Sequence, residues 1–119
     1  MIGGPGAVTS VLDDWAACDW THGVQIDQLA QLEVLFVRTR NTTYEIVVTS
    51  AATGTVLVRG GDRFPAFTSA RLCGSTAGGS VVKRAGIYPG LRLELESDAG
   101  RVITSTIVSV RVDRATSEH

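Results

Sequence analysis

At 119 residues the chain has the size of one domain, large enough to bury a core without disulfides or metal. Its apolar fraction of 44% excludes disorder over most of its length, and no unbroken apolar run reaches transmembrane length. Lys and Arg total 11 against 12 Asp and Glu, a net charge of -1, so the basic footprint of a nucleic-acid binder is missing.

The charge is divided along the chain. Asp13, Asp14, Asp19, Asp27 and Glu33 precede Val34 with no Lys or Arg among them, whereas the stretch from Thr55 to Arg114 is predominantly basic. Such a split fits an N-terminal segment laid across a basic face, two different partners, or plain solvated charge. Cys18 and Cys73 are too few for a secreted disulfide scaffold. The first residues carry no basic region, and Asp13 and Asp14 interrupt their apolar run, so they do not read as a signal peptide. The chain therefore reads as cytoplasmic. Lys83 is its one lysine, the usage of a GC-rich, bacterial genome.

Residues 1–7 are rich in Gly and form a lead-in. Ser10 and Asp13 have capping-box spacing, and Val8, Val11, Leu12 and Trp15 follow the rhythm of one helical face. A short helix is predicted from about Val11 to Cys18. Eight residues cannot sustain a helix alone in water, so Val11, Leu12 and Trp15 should dock on the chain's own domain or on a partner. Residues 1–22 are read as this lead-in and helix, 23–114 as one β domain, and 115–119 as a disordered tail.

Strands are predicted at Glu33–Arg40, Tyr44–Ser50 and Thr55–Arg59, with turns at Asn41-Thr42 and at Ala51–Gly54. The sequon at Asn41 is read as turn chemistry. Gly60–Ser69 reads as irregular, held by Pro65 and two aromatics, Phe64 and Phe67, and Ala70–Cys73 as a short strand. Gly74–Ser80 reads as a flexible loop, with a further short strand at Val81-Val82.

A turn at Gly86–Gly90 leads into the hairpin that should organise the domain. Leu91, Leu93 and Leu95 alternate with Arg92, Glu94 and Glu96, which puts the leucines on one face. After a turn at Ser97–Gly100, the return strand places Val102, Thr104, Thr106, Val108, Val110 and Val112 inward. Ile103, Ser105 and Ile107 then face out. Twelve residues would span roughly 40 Å, so a bend or bulge is expected near Thr104–Thr106. The fold class is all-β: a small antiparallel barrel or compact sandwich of six or seven strands with one short N-terminal helix.

Catalytic chemistry is thinly represented. His22 and His119 have no Ser or Cys nucleophile beside them in sequence. Cys18 and His22 are spaced for one helical face, but without a paired-cysteine motif they read as structural, and no metal is expected. The Gly74-Ser75 bond is similar to the self-cleaving bond of pyruvoyl-dependent decarboxylases, though the dipeptide is common. The Gly74–Ser80 stretch could converge its backbone N–H groups on an anion, with Arg59, Arg63, Ser75, Gly78 and Arg84 as ligand-binding candidates. It lacks the Lys-Ser/Thr of a phosphate-binding P-loop.

Arg59-Gly-Gly-Asp-Arg63, followed by Cys73-Gly-Ser75-Thr-Ala-Gly78, resembles the two motifs of PilZ domains. Those are an RxxxR and a D/N-x-S-x-x-G, carried on β-barrels that bind cyclic di-GMP. The resemblance covers about the second half of the chain and implies a cyclic-dinucleotide site at those residues. Cys73 stands where the family has an acidic or amide residue.

The sequence reading is a non-enzymatic β-barrel with no cofactor, acting as a protein-binding accessory or structural subunit with a protein partner or a second copy of itself. The alternative is a regulatory domain for an anionic small molecule such as a cyclic dinucleotide. Neither a membrane span nor nucleic-acid binding is expected.

Overall fold

The computed structural model of the chain describes residues 21–77 and 80–113. The predicted helix with Val11, Leu12 and Trp15 lies outside the described residues, as do Gly78 and the tail. Within them the strands are β1 (Val24–Gln25), β2 (Val34–Thr39), β3 (Thr43–Ser50), β4 (Thr55–Gly60) and β5 (Phe64–Ala77). There follow β6 (Ser80–Arg84), β7 (Gly86–Ile87), β8 (Arg92–Ser97) and β9 (Gly100–Asp113), with a 3-10 turn at Ile26–Gln28.

Strands β4-β3-β2-β9-β8-β5 are neighbours in that order, and β5 pairs back onto β4, so an antiparallel ring closes. Of the two architectures expected, the chain adopts the barrel. Closure leaves no free edge among the ring strands. β6 stands outside the ring, hydrogen-bonded to the second half of β5, and β1 pairs with β7 in a small sheet of its own.

Alternation sets the inner face. Leu35 and Val37 on β2 point inward, as do Ile46 and Val48 on β3 and Val56 and Val58 on β4; all are fully buried. Leu93 and Leu95 on β8 join them. The register places Leu35 opposite Ile46, and Ile46 opposite Val58, which stacks branched side chains in layers across the barrel. Each such side chain contributes about 1.5–3 kcal/mol on full burial. Ile26 of the 3-10 turn, also fully buried, packs in the same cluster.

The long return strand β9 is bent by two irregularities. Arg92 pairs with Thr106 but Glu94 pairs with Ile103, so β9 carries one extra residue there. The Thr104 hydroxyl accepts a hydrogen bond from the Leu93 N–H at 3.1 Å, covering a donor that the broken ladder would leave open. On the other edge Arg38 pairs with Ser109 and Thr39 with Ile107, which leaves Val108 as an extra residue. The bulge expected near Thr104–Thr106 is present. The face assignment beyond it is corrected: Ile107 is buried and Val108 is 42% exposed, because the first bulge inverts the alternation and the second restores it for Val110 and Val112.

β5 corrects two further expectations. Phe64–Ser69, expected to be irregular, and Gly74–Ala77, expected to be part of a loop, belong to one 14-residue strand, and Ser80 opens β6. Its first half pairs with β4 and its second half pairs with β8 on one edge and β6 on the other. Pro65 falls where the β4–β5 ladder is already irregular, so its missing N–H costs little there.

Candidate functional site

Where β5 changes partner, the ladder is interrupted on both edges. Leu72 N–H donates to Gly54 O in the β3–β4 turn at 2.8 Å, whereas Cys73 O accepts from Ala85 N–H beyond the end of β6 at 3.0 Å. On the β8 side Leu72 pairs with Leu95 and Gly74 with Glu94, so Cys73 is a bulged residue without a counterpart. Gly74 makes the crossing possible. It has φ +139°, and a Cβ there would collide with the Lys83 carbonyl.

The gap between the start of β4 and the end of β6 is a groove of about 780 Å³. The turn Ala51–Gly54 forms one wall and Arg84 with Ala85 another, and the 3-10 turn brings in Asp27. Cys73 and Glu94 also line it, beside Arg71 and Glu96. Arg71 donates to Glu96 at 2.9 Å, and this bond holds its guanidinium more firmly charged than usual.

Glu94 is the unusual member. Alternation on β8 puts it outward, yet it is only 6% exposed. Its Oε2 is 3.7 Å from Arg101 Nη1, and its Oε1, also buried, has no hydrogen-bond partner among the described residues. The thiol of Cys73 is pushed above its ordinary value, first by burial and then by Glu94 and Glu96, against the opposing pull of Arg71. At neutral pH Cys73 is therefore a protonated thiol and a poor nucleophile.

A second feature lies on the outer face of β2, β3 and β4. Val34, Val47 and Leu57 stand opposite one another across the three strands, all outward and half-buried. Beside them Phe36, Glu45 and Arg59 form a parallel row. The guanidinium of Arg111 lies 4.8 Å from the Phe36 ring centroid. That of Arg59 lies 4.3 Å from the ring of Phe67 and donates to Glu45 at 2.5 Å. An outer face that alternation should make polar is thus apolar in one row and sealed by stacked arginines in the next.

The residues singled out for an anion do not gather round one cavity. Arg59 is held by Glu45 and Phe67, and Arg63 is exposed in the turn before β5. Ser75 is fully buried; its hydroxyl donates to Gly86 O at 2.9 Å and accepts from Tyr88 N–H at 3.0 Å, tying β5 to the turn after β7. Of the four described candidates, only Arg84 lines the groove. The Gly74-Ser75 bond sits inside a strand paired on both edges. His22 is exposed, and Cys18 lies outside the described residues. Among the described residues no group of three or more His, Cys, Asp or Glu could hold a metal ion. None of the described helices is long and apolar enough to cross a membrane.

Two features escaped the sequence reading. The burial of Glu94 goes with a groove whose walls come from segments distant in sequence, which no local pattern encodes. The outer apolar row did leave a signal, since Val34–Val37 and Ile46–Val48 are unbroken apolar runs, as in strands covered on both faces. No family model, curated protein or solved structure matches the chain.

Proposed function

We propose that the protein is a non-enzymatic β-barrel that serves as a protein-binding accessory or structural subunit, joining a protein partner or a second copy of itself. The observation that carries this reading is the outward apolar row Val34, Val47 and Leu57, flanked by Phe36 and Phe67. These side chains lie outside the barrel core, so they add little to its stability while leaving apolar surface on one face. Leu32, 67% exposed, lies two residues before β2, where its N–H donates to Val48 O on β3. The stacked Arg and Phe at its border are residue types enriched in protein interfaces.

The test is a paired substitution, Val47→Lys with Leu57→Lys, made on the full chain. Sedimentation velocity of the wild type, alone and with whatever co-purifies from its own cell, reports the assembly. The double variant is expected to sediment as a monomer and to melt close to the wild type. An unchanged assembly in a folded variant would remove this face from the reading.

A further inference from the structure

We infer that the groove over Glu94 is a binding site for a small molecule carrying a protonated amine or guanidinium group. A buried carboxylate oxygen without a donor is unfavourable, and native structures seldom leave one. Here, among the described residues, Glu94 Oε1 has none, and the other oxygen has only a long contact to Arg101. A carboxylate is an acceptor on both oxygens, so what the site lacks is a donor. A cationic N–H group supplies the donor and a compensating charge together, which makes the bond stronger than a neutral one.

The surroundings narrow the class. The neighbouring cation on the wall, Arg71, is already engaged by Glu96, so it does not reach over to complete Glu94. Asp27 adds a third carboxylate to the lining, beside Glu94 and Glu96. An anion entering here would meet a buried negative charge before any free cation except Arg84, which makes no ion pair among the described residues. A metal cation is not favoured either, since the described residues contain no suitable ligand cluster. The volume of about 780 Å³ falls in the range of small-molecule sites, and the small residues Ala51, Ala52 and Gly54 keep one wall low. Arg84 at the edge could meet an anionic end of the same molecule, so an amino-acid-like zwitterion belongs to the class.

The probes are agmatine, a decarboxylated arginine with two cationic ends, L-arginine, and inorganic phosphate, each titrated into the full chain and followed by amide NMR shifts. Agmatine and L-arginine at millimolar concentration are expected to move the amides of Gly54, Cys73 and Ala85 saturably; phosphate is not. If L-arginine binds more tightly than agmatine, the zwitterion arm holds; if agmatine is equal or tighter, the cation alone is recognised. Glu94→Gln should weaken binding about tenfold, the loss of one charge-assisted bond. Ala52→Trp, on an exposed turn, should block the groove while leaving the melting temperature unchanged. The inference is overturned by the absence of saturable shifts with both cations, by saturation with phosphate alone, or by undiminished affinity in Glu94→Gln. Should that variant fail to fold, undiminished affinity in Ala52→Trp overturns it instead.

Discussion

Strands β5 and β9 are both 14 residues long and both belong to the ring, yet they are built on opposite terms. β9 is rich in Val, Ile and Thr and keeps one face on the core, departing from alternation only at its two bulges. β5 has almost no alternation. Between Phe64 and Ala70 every residue is exposed, whereas Gly74–Ala77 are all buried because both edges and both faces are occupied. A strand advertises itself in sequence when one face is wet and the other dry. One that is wet on both faces in its first half and dry on both in its second reads as two loops.

The largest way to break the comparison is at the crossing point of β5. Gly74→Val should cost at least about 4 kcal/mol or prevent folding, since it adds a branched side chain at a forbidden φ against the Lys83 carbonyl. A denaturant midpoint close to wild type would show that β5 does not cross there as described. The β9 side is sharpened by two neighbours. Ile107→Ala should destabilise by about 2–5 kcal/mol as a core truncation. Val108→Ala should stay within about 0.5 kcal/mol because the bulge turns it to solvent. Thermal or urea unfolding of the pair decides whether the alternation inverts where the register places it.

The smallest effect is chemical. With Cys18 replaced by Ser, alkylation of Cys73 by iodoacetamide at about pH 8 should be slower in the folded than in the unfolded chain. Burial favours the neutral thiol, so the folded thiolate fraction lags the unfolded one as pH rises. By linkage, stability falls slightly once pH passes the ordinary thiol range, because the unfolded chain ionises first. Glu94→Gln should speed the reaction by removing a negative neighbour.

The same contrast explains how much could be read in advance. β2, β3, β4, β8 and β9 were legible from period two and turn chemistry, and the bend in β9 from its length. The inward place of Ile107 was not, because a bulge changes parity without changing composition. Ser75 looked like a loop hydroxyl because Gly and Ser cluster around it. Those small residues instead let β5 lie between β6 and β8 under the ring of Tyr88, which itself leaves no room for a side chain at Gly23. Glu94 looked like any outward charge in Leu-Arg-Leu-Glu-Leu-Glu, and only segments distant in sequence form the groove it lines.

Ring closure has a consequence for how the chain reaches this state. Following the chain, β2 pairs β3, β3 pairs β4, β4 pairs β5, and β8 pairs β9, all across short connections. The β2–β9 pair alone joins the two ends of the domain, with Val34 opposite Asp113. The entropy of closing so long a loop must be met before that pairing gives anything back, which places it late in folding and sets a rate in the milliseconds-to-seconds class of β-barrels. Until then the meander has two open edges, and one of them is β2, with its unbroken Val-Leu-Phe-Val run. The unclosed meander, rather than the finished barrel, is the species expected to aggregate when synthesis outpaces folding.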